Sequence, residues 1–191
     1  MPNAISLLKS DHVKVRKLLR QLESTDERAT KQRDHLVSEI ERELKIHSQI
    51  EEELFYPCFK KAAENTAAED LFYEATEEHH VVDMVLPQLK STSTKSPEFA
   101  AKAKVLRDLV EHHAQEEETQ MFTKARQLLD DGQLRQLGGE LQKRKQTLES
   151  MWTNPLMKPV KKLQGAVHKV MPTRIKNAKA NAIATMRDEE R

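Results

Sequence analysis

Six residues of this chain have the types and spacing of a metal-ligand set. His47 and Glu51 stand four residues apart, as do His113 and Glu117, and a further histidine, His12 or His79, precedes each pair by 35 or 34 residues. Residues four apart share one face of a helix, so each pair can aim an imidazole and a carboxylate at one spot. Gathered away from water as bare groups, four imidazoles and two carboxylates are costly, because an ionised carboxylate removed from solvent without a partner costs several kcal/mol. A pair of divalent or trivalent ions turns the same groups into ligands. A nitrogen and oxygen donor set without thiolate suits iron, manganese or zinc, and glutamates are common bridges between two ions.

The set is repeated in register. DHVKVRKLLRQL from Asp11 aligns without offset on EHHVVDMVLPQL from Glu78, and HSQIEEELFYP from His47 aligns on HAQEEETQMFT from His113. The alignment superimposes His12 on His79, Glu51 on Glu117, and Phe55-Tyr56 on Met121-Phe122. It also selects His79 over its neighbour His80, and His113 over His112, because only one of each adjacent pair is in phase. His80 and His112 are expected beside the site or on the surface, and His35 exposed. Glu52, Glu53, Glu116 and Glu118 are expected on solvated helix faces, with Glu52 or Glu118 taking a ligand's place if a helix bulge shifts the register by one.

Four amphipathic segments must carry these residues. Apolar stripes with a helical period run through Ile5, Leu8, Val15, Leu19 and Leu22, and through Leu36, Ile40, Leu44, Ile50, Leu54 and Phe55 to about Pro57, where a kink or stop is expected. A third runs through Leu71, Phe72, Ala75, Val82, Leu86 and Leu89. The fourth, opened by the cap Ser96-Pro97-Glu98, runs from Phe99 to Leu128 and is expected to close at Asp131-Gly132. Each histidine falls in a gap of its stripe. The pattern predicts an all-α protein: an up-down-up-down antiparallel four-helix bundle over residues 1–131, a shorter capping helix over 132–151, and a basic helical extension over 152–191.

Composition agrees with this class. Four Gly in 191 residues, 4% aromatics and 33% charged residues leave little material for an all-β or α/β fold. The single Cys, Cys58, excludes an internal disulfide framework and is read as packing. With no apolar run of membrane-spanning length and no signal-peptide layout, a cytoplasmic protein is expected.

At the six residues His12, His47, Glu51, His79, His113 and Glu117 the sequence resembles the hemerythrin-like family, the HHE cation-binding domain, over roughly residues 4 to 130. That resemblance implies two iron ions bridged by both carboxylates and an oxo or hydroxo group, in a protein that binds dioxygen, peroxide or nitric oxide. Ferritin-like bundles differ, since they use Glu together with a three-residue Glu-to-His spacing. Oxygen-carrying hemerythrins have a fifth histidine one turn after the third-helix histidine, where this chain has Asp83. Two residues are candidates to fill the vacant role. Asp83 lies on the His79 face, in a turn that Pro87 can distort by leaving a carbonyl without its donor. Tyr56 would require an irregular turn before Pro57 to reach the site. The departure also admits a diiron oxidoreductase that decomposes peroxide, or an iron-responsive interaction protein.

Charge is distributed unevenly. Residues 150–187 contain eight basic residues and no acidic one, and the last four residues carry a net minus two, so the overall +1 leaves residues 1–149 at minus five. Apolar stripes on either side of Pro172 make the basic segment amphipathic. It is expected either to pack back on the acidic bundle or to meet an anionic partner, a membrane surface or a nucleic acid.

Overall fold

The computed structural model describes residues 3–153, all of whose regular structure is helical. Helix α1 (Ala4–Glu23) is capped by Asn3, whose side chain accepts the Ser6 N–H at 2.8 Å. Helix α2 (Thr30–Ile50) runs through a π-helical turn (Glu51–Phe55) into α3 (Tyr56–Ala63). Helix α4 (Asp70–Ser91) is followed by α5 (Pro97–Glu116), where Ser96 accepts the Glu98 N–H and Pro97 occupies the first turn. A second π turn (Glu117–Met121) joins α5 to α6 (Phe122–Leu128), and α7 (Asp131–Thr153) ends the described chain.

The long helices α1, α2, α4 and α5 neighbour one another in chain order, and α5 closes the ring on α1. Polar pairs give the directions. Between α1 and α2, Arg33 reaches Thr25 while His47 meets His12. Glu41 pairs with Lys90 and Lys45 with Asp83 across α2 and α4. Lys102 meets Thr92 and His113 meets His79 across α4 and α5, and Arg107 meets Glu23 and Glu111 meets Arg16 across α5 and α1. In every pair, numbering rises on one helix as it falls on the other, so neighbours are antiparallel.

Two apolar clusters fill the ring. One, built around Val15, Leu19, Ile40, Leu86 and Leu106, lies toward the short loops after α1 and α4. There the buried Arg33 donates to Thr25 O at 2.9 Å and to Thr94 O at 2.5 Å, tying the two loops together. The other is built around Ile5, Leu8, Ile50, Phe55, Phe59 and Phe122. The six histidines and glutamates of the repeat lie between them.

Three expectations change. Pro57 does not stop the helix. The chain passes through it because it falls in the first turn of α3, just beyond the π turn, where the ladder is already changing register. The same π turn forms in the second half, where Thr123 occupies the equivalent position, so proline is not its cause. The break after the fourth stripe comes at extended Leu129 and not at Gly132, which lies inside α7. Asp130 and Gln133 form a reciprocal cap there, each side chain bonding the other's backbone N–H at 2.9 Å. Finally, α7 is not short. It has 23 residues and packs along α1 and α2, burying Leu134, Leu137, Leu141 and Leu148 in the second cluster. The basic segment and its stripes about Pro172 lie outside the described residues.

Candidate metal centre

The histidines stand in two pairs at the middle of the bundle, with Nε2 atoms turned inward. His12 Nε2 is 3.1 Å from His47 Nε2, and His79 Nε2 is 3.1 Å from His113 Nε2. Each glutamate spans both pairs. Glu51 Oε2 lies 3.1 Å from His47 Nε2 and 3.5 Å from His79 Nε2, while Glu117 Oε2 lies 3.2 Å from His12 Nε2 and 3.6 Å from His113 Nε2. All six side chains are buried, Glu51 fully.

The outward nitrogens explain this orientation. His12 Nδ1 faces Glu118 Oε1 at 3.0 Å, His79 Nδ1 faces Glu52 Oε1 at 2.9 Å, and His113 Nδ1 faces Glu78 Oε2 at 2.7 Å. His47 Nδ1 looks toward Asp11 Oδ2 at 3.8 Å. A carboxylate beside Nδ1 keeps the proton on that nitrogen, which leaves Nε2 a lone pair for a cation. The pattern repeats: the acid preceding each first-helix histidine (Asp11, Glu78) faces the second-helix histidine of its own half. The glutamate following each core carboxylate (Glu52, Glu118) faces the first-helix histidine of the other half. Glu52 and Glu118 therefore do more than cover solvated faces, and neither replaces Glu51 or Glu117 at the centre. The aligned repeats already held all four acids in register, but amphipathic phase alone assigned Glu52 and Glu118 to the surface and gave Asp11 and Glu78 no role.

As bare groups these residues fit together poorly. Neither oxygen of Glu51 receives a hydrogen bond, nor does Glu117 Oε2. Burial, and then the charge of Glu117, pushes the Glu51 carboxyl well above its ordinary value. Burial acts the same way on Glu117, but His113 and His12 outweigh it and hold that carboxyl ionised. Burial lowers His47 to about 4. His12 and His113 are raised despite burial, chiefly through Glu117. Paired lone pairs and orphaned buried oxygens, all directed at one point, are what a cation would satisfy. His12, His47, Glu51 and Glu117 can each offer a ligand atom to one common spot, and Glu51, His79 and His113 to another.

The π turns set what surrounds this point. Each begins at a core glutamate, and the Tyr56 and Phe122 N–H groups bond back five residues to Glu51 O and Glu117 O. The extra residue per turn rotates Tyr56 inward. Its hydroxyl donates to Glu117 Oε1 at 2.9 Å and lies 3.3 Å from His79 Nε2, with the phenol proton held firmly by burial and the nearby carboxylates. Tyr56 is thus at the site through the irregular turn that reaching it required. Asp83 is not. Its side chain is 42% exposed and pairs with Lys45 at 2.5 Å across α2 and α4. One turn beyond His79 the helix surface has already rotated outward, and α4 continues through Pro87 without turning Asp83 back. His80 and His112 are exposed, near Glu77 and Glu78 respectively. Cys58 is half-buried against the apolar cluster, and burial raises its thiol.

Residues 3–125 match the hemerythrin HHE cation binding domain, and the chain belongs to that family. A crystal structure of an HHE cation binding domain-containing protein from Mycobacterium kansasii superimposes with a TM-score of 0.70 at 29% identity, covering 80% of this chain and 91% of the other. The chain is also 26% identical over 147 residues to a protein of Nostoc sp. (strain PCC 7120) named DNA nickase; the match covers 77% of this chain and 40% of that relative's length.

Proposed function

We propose that the chain holds two iron ions, one toward His12 and His47 and one toward His79 and His113, with Glu51 and Glu117 shared between them, and that this centre binds dioxygen, peroxide or nitric oxide. The observation that carries the reading is the pair of buried carboxylates, each set between both histidine pairs and lacking hydrogen bonds on three of four oxygens. When bound, an iron pair supplies open coordination positions and two electrons for a small oxidant.

The rest is done by the chain. Glu52, Glu78 and Glu118 direct three of the imidazoles and fix their tautomers, while Asp11 stands 3.8 Å from the Nδ1 of the fourth, His47. Phe55, Phe59 and Phe122, all fully buried, wall the site on the α7 side and limit water. Tyr56 holds a proton at its hydroxyl, 2.9 Å from Glu117 Oε1. With Asp83 on the surface, each half brings two histidines and one glutamate, an even division unlike the five-histidine pattern of oxygen carriers. The missing fifth histidine favours reaction with peroxide as an extension of binding.

Metal analysis after expression with iron tests the reading. About two iron per chain are expected, lost on His79→Ala and retained on His80→Ala. A stable zinc load in the presence of iron, or less than half an iron per chain, rejects it. Peroxide added to the loaded protein separates the two outcomes: sustained gas evolution marks turnover, and a lasting coloured adduct marks binding. A second reading, contact with nucleic acid through residues 150–187, is favoured by their eight unopposed basic residues and by the name of the Nostoc relative. Salt-dependent retention on DNA by the full chain, lost when those basic residues are neutralised, would support it.

A further inference from the structure

The two halves of the repeat are nearly superposable at the centre and differ sharply just outside it. In the first half, Leu7, Asp11, Ile46 and Ile50 surround the approach to His47. The three apolar residues are buried in the cluster that α7 covers, and Lys145 of α7 pairs with Asp11. The aligned positions in the second half are Glu74, Glu78, His112 and Glu116. No described helix lies over them as α7 lies over their counterparts. A narrow cavity opens there instead, lined by Leu71, Glu74, Glu78, Glu116, Glu117 and Met121.

We infer that Glu78, His112 and Glu116 form an outer cation site through which iron(II) is loaded into the buried pair, passing by way of the Glu117 carboxylate. The inference rests on the dinuclear reading above and adds the route by which that centre is filled. Three observations meet here. Glu78 Oε1 lies 3.4 Å from His112 Nε2, and Glu116 Oε2 lies 3.8 Å from the same nitrogen, so one ligand atom from each residue falls within 4.8 Å of the others. Two carboxylates and one imidazole suit a divalent first-row ion. Glu117, whose buried Oε2 has no hydrogen-bond partner, is among the residues that line the cavity beside Glu78 and Glu116.

Glu78 joins the outer and inner sites. Its Oε1 faces His112, and its Oε2 faces His113 Nδ1 at 2.7 Å. A cation on the outer set is thus one side chain away from the ligands it must reach. His112 is 64% exposed, so this set remains hydrated and holds its ion weakly, as a site of passage must. A counterpart route through the first half would have to displace Ile46, Ile50 and the packed α7.

The double variant His112→Ala/Glu116→Gln tests the inference without touching any core ligand. Neither position is buried, and unchanged helical content and melting temperature verify the fold. Stopped-flow loading of anaerobic apo-protein with iron(II) is expected to slow at least tenfold, while the final iron content and optical spectrum match those of the unsubstituted chain. Equal loading rates overturn the inference, and so does slow loading that stops at a lower final content. Manganese(II) gives a second readout. In apo-protein carrying His47→Ala/His79→Ala, which removes an imidazole from each of the two inner groups, one weakly held manganese(II) per chain should remain visible by electron paramagnetic resonance and vanish when His112→Ala/Glu116→Gln is added. Its persistence in the combined variant rejects the outer site. If the unsubstituted chain takes up no iron pair, the dinuclear reading fails, and the manganese measurement still judges the outer site alone.

Discussion

Tyr56 and Phe122 occupy equivalent positions, each one residue past a π turn, and each stacks on the first-helix histidine of the other half. Tyr56 lies 5.4 Å from the His79 ring at 28°, and Phe122 lies 5.9 Å from the His12 ring at 9°. The hydroxyl is the principal difference. Tyr56→Phe should therefore give each half the same neighbour. It is expected to keep both iron ions and to change stability by about 1 kcal/mol, the worth of one hydrogen bond. Iron content and thermal melts check this, and loss of iron would make Tyr56 a ligand.

Glu51 is fully buried and without a hydrogen bond, so the metal-free protein bears the cost of the ligand it stores. Glu51→Gln removes the ionisable group while keeping the shape. The metal-free variant should be about 1–3 kcal/mol more stable than the metal-free parent, and should bind no iron pair. Denaturant melts of both metal-free proteins, with metal analysis after loading, test the two halves of this expectation.

His47 resists protonation until about pH 4, because burial disfavours its charged form. The unfolded chain takes up the corresponding proton near 6.5. As pH falls from 6.5 toward 4, the unfolded state therefore gains a proton that the folded state refuses, and stability falls by up to about 3 kcal/mol from this group. Urea melts of metal-free protein at pH 7 and pH 4.5 should show a larger acid loss in the parent than in His47→Gln.

Lys145 and Arg144 are adjacent on α7, yet their pairs differ in value. Lys145 meets the buried Asp11, which faces His47, whereas Arg144 meets the exposed Glu53 at 2.6 Å. Lys145→Met should cost about 2–4 kcal/mol by leaving Asp11 buried without its cation. Arg144→Ala should cost about 1 kcal/mol or less. Chemical denaturation of the two variants side by side decides the comparison.

The repeat made the six central residues legible, because phase and chemistry agreed at each. Asp11, Glu78, Glu52 and Glu118 were equally in register, but a glutamate's reach around its helix is not written in apolar periodicity. The π turns were hidden for a related reason: an inserted backbone register leaves no residue signature, and Pro57 pointed to a break that its counterpart Thr123 shows is unnecessary. Asp83 was misplaced by assuming that one helical turn preserves a face. Its counterpart Arg16 shows what the position does, since Arg16 reaches from α1 to Glu111 of α5 and Glu118 of the π turn after it, much as Asp83 reaches Lys45 across α2 and α4. The burial of α7 along α1 and α2 could not be read from its stripe, which gives a buried face but not a partner.

The centre lies as a polar layer between two apolar clusters. An unmetallated chain accordingly has a weak plane at its waist, where the halves of the core meet across groups that repel or go unsatisfied. The proposed iron pair would close that plane like a rivet. Supply of the metal would then govern how long the protein survives as well as what it can do, because a chain opened at the waist exposes the faces of both cores to proteolysis at once.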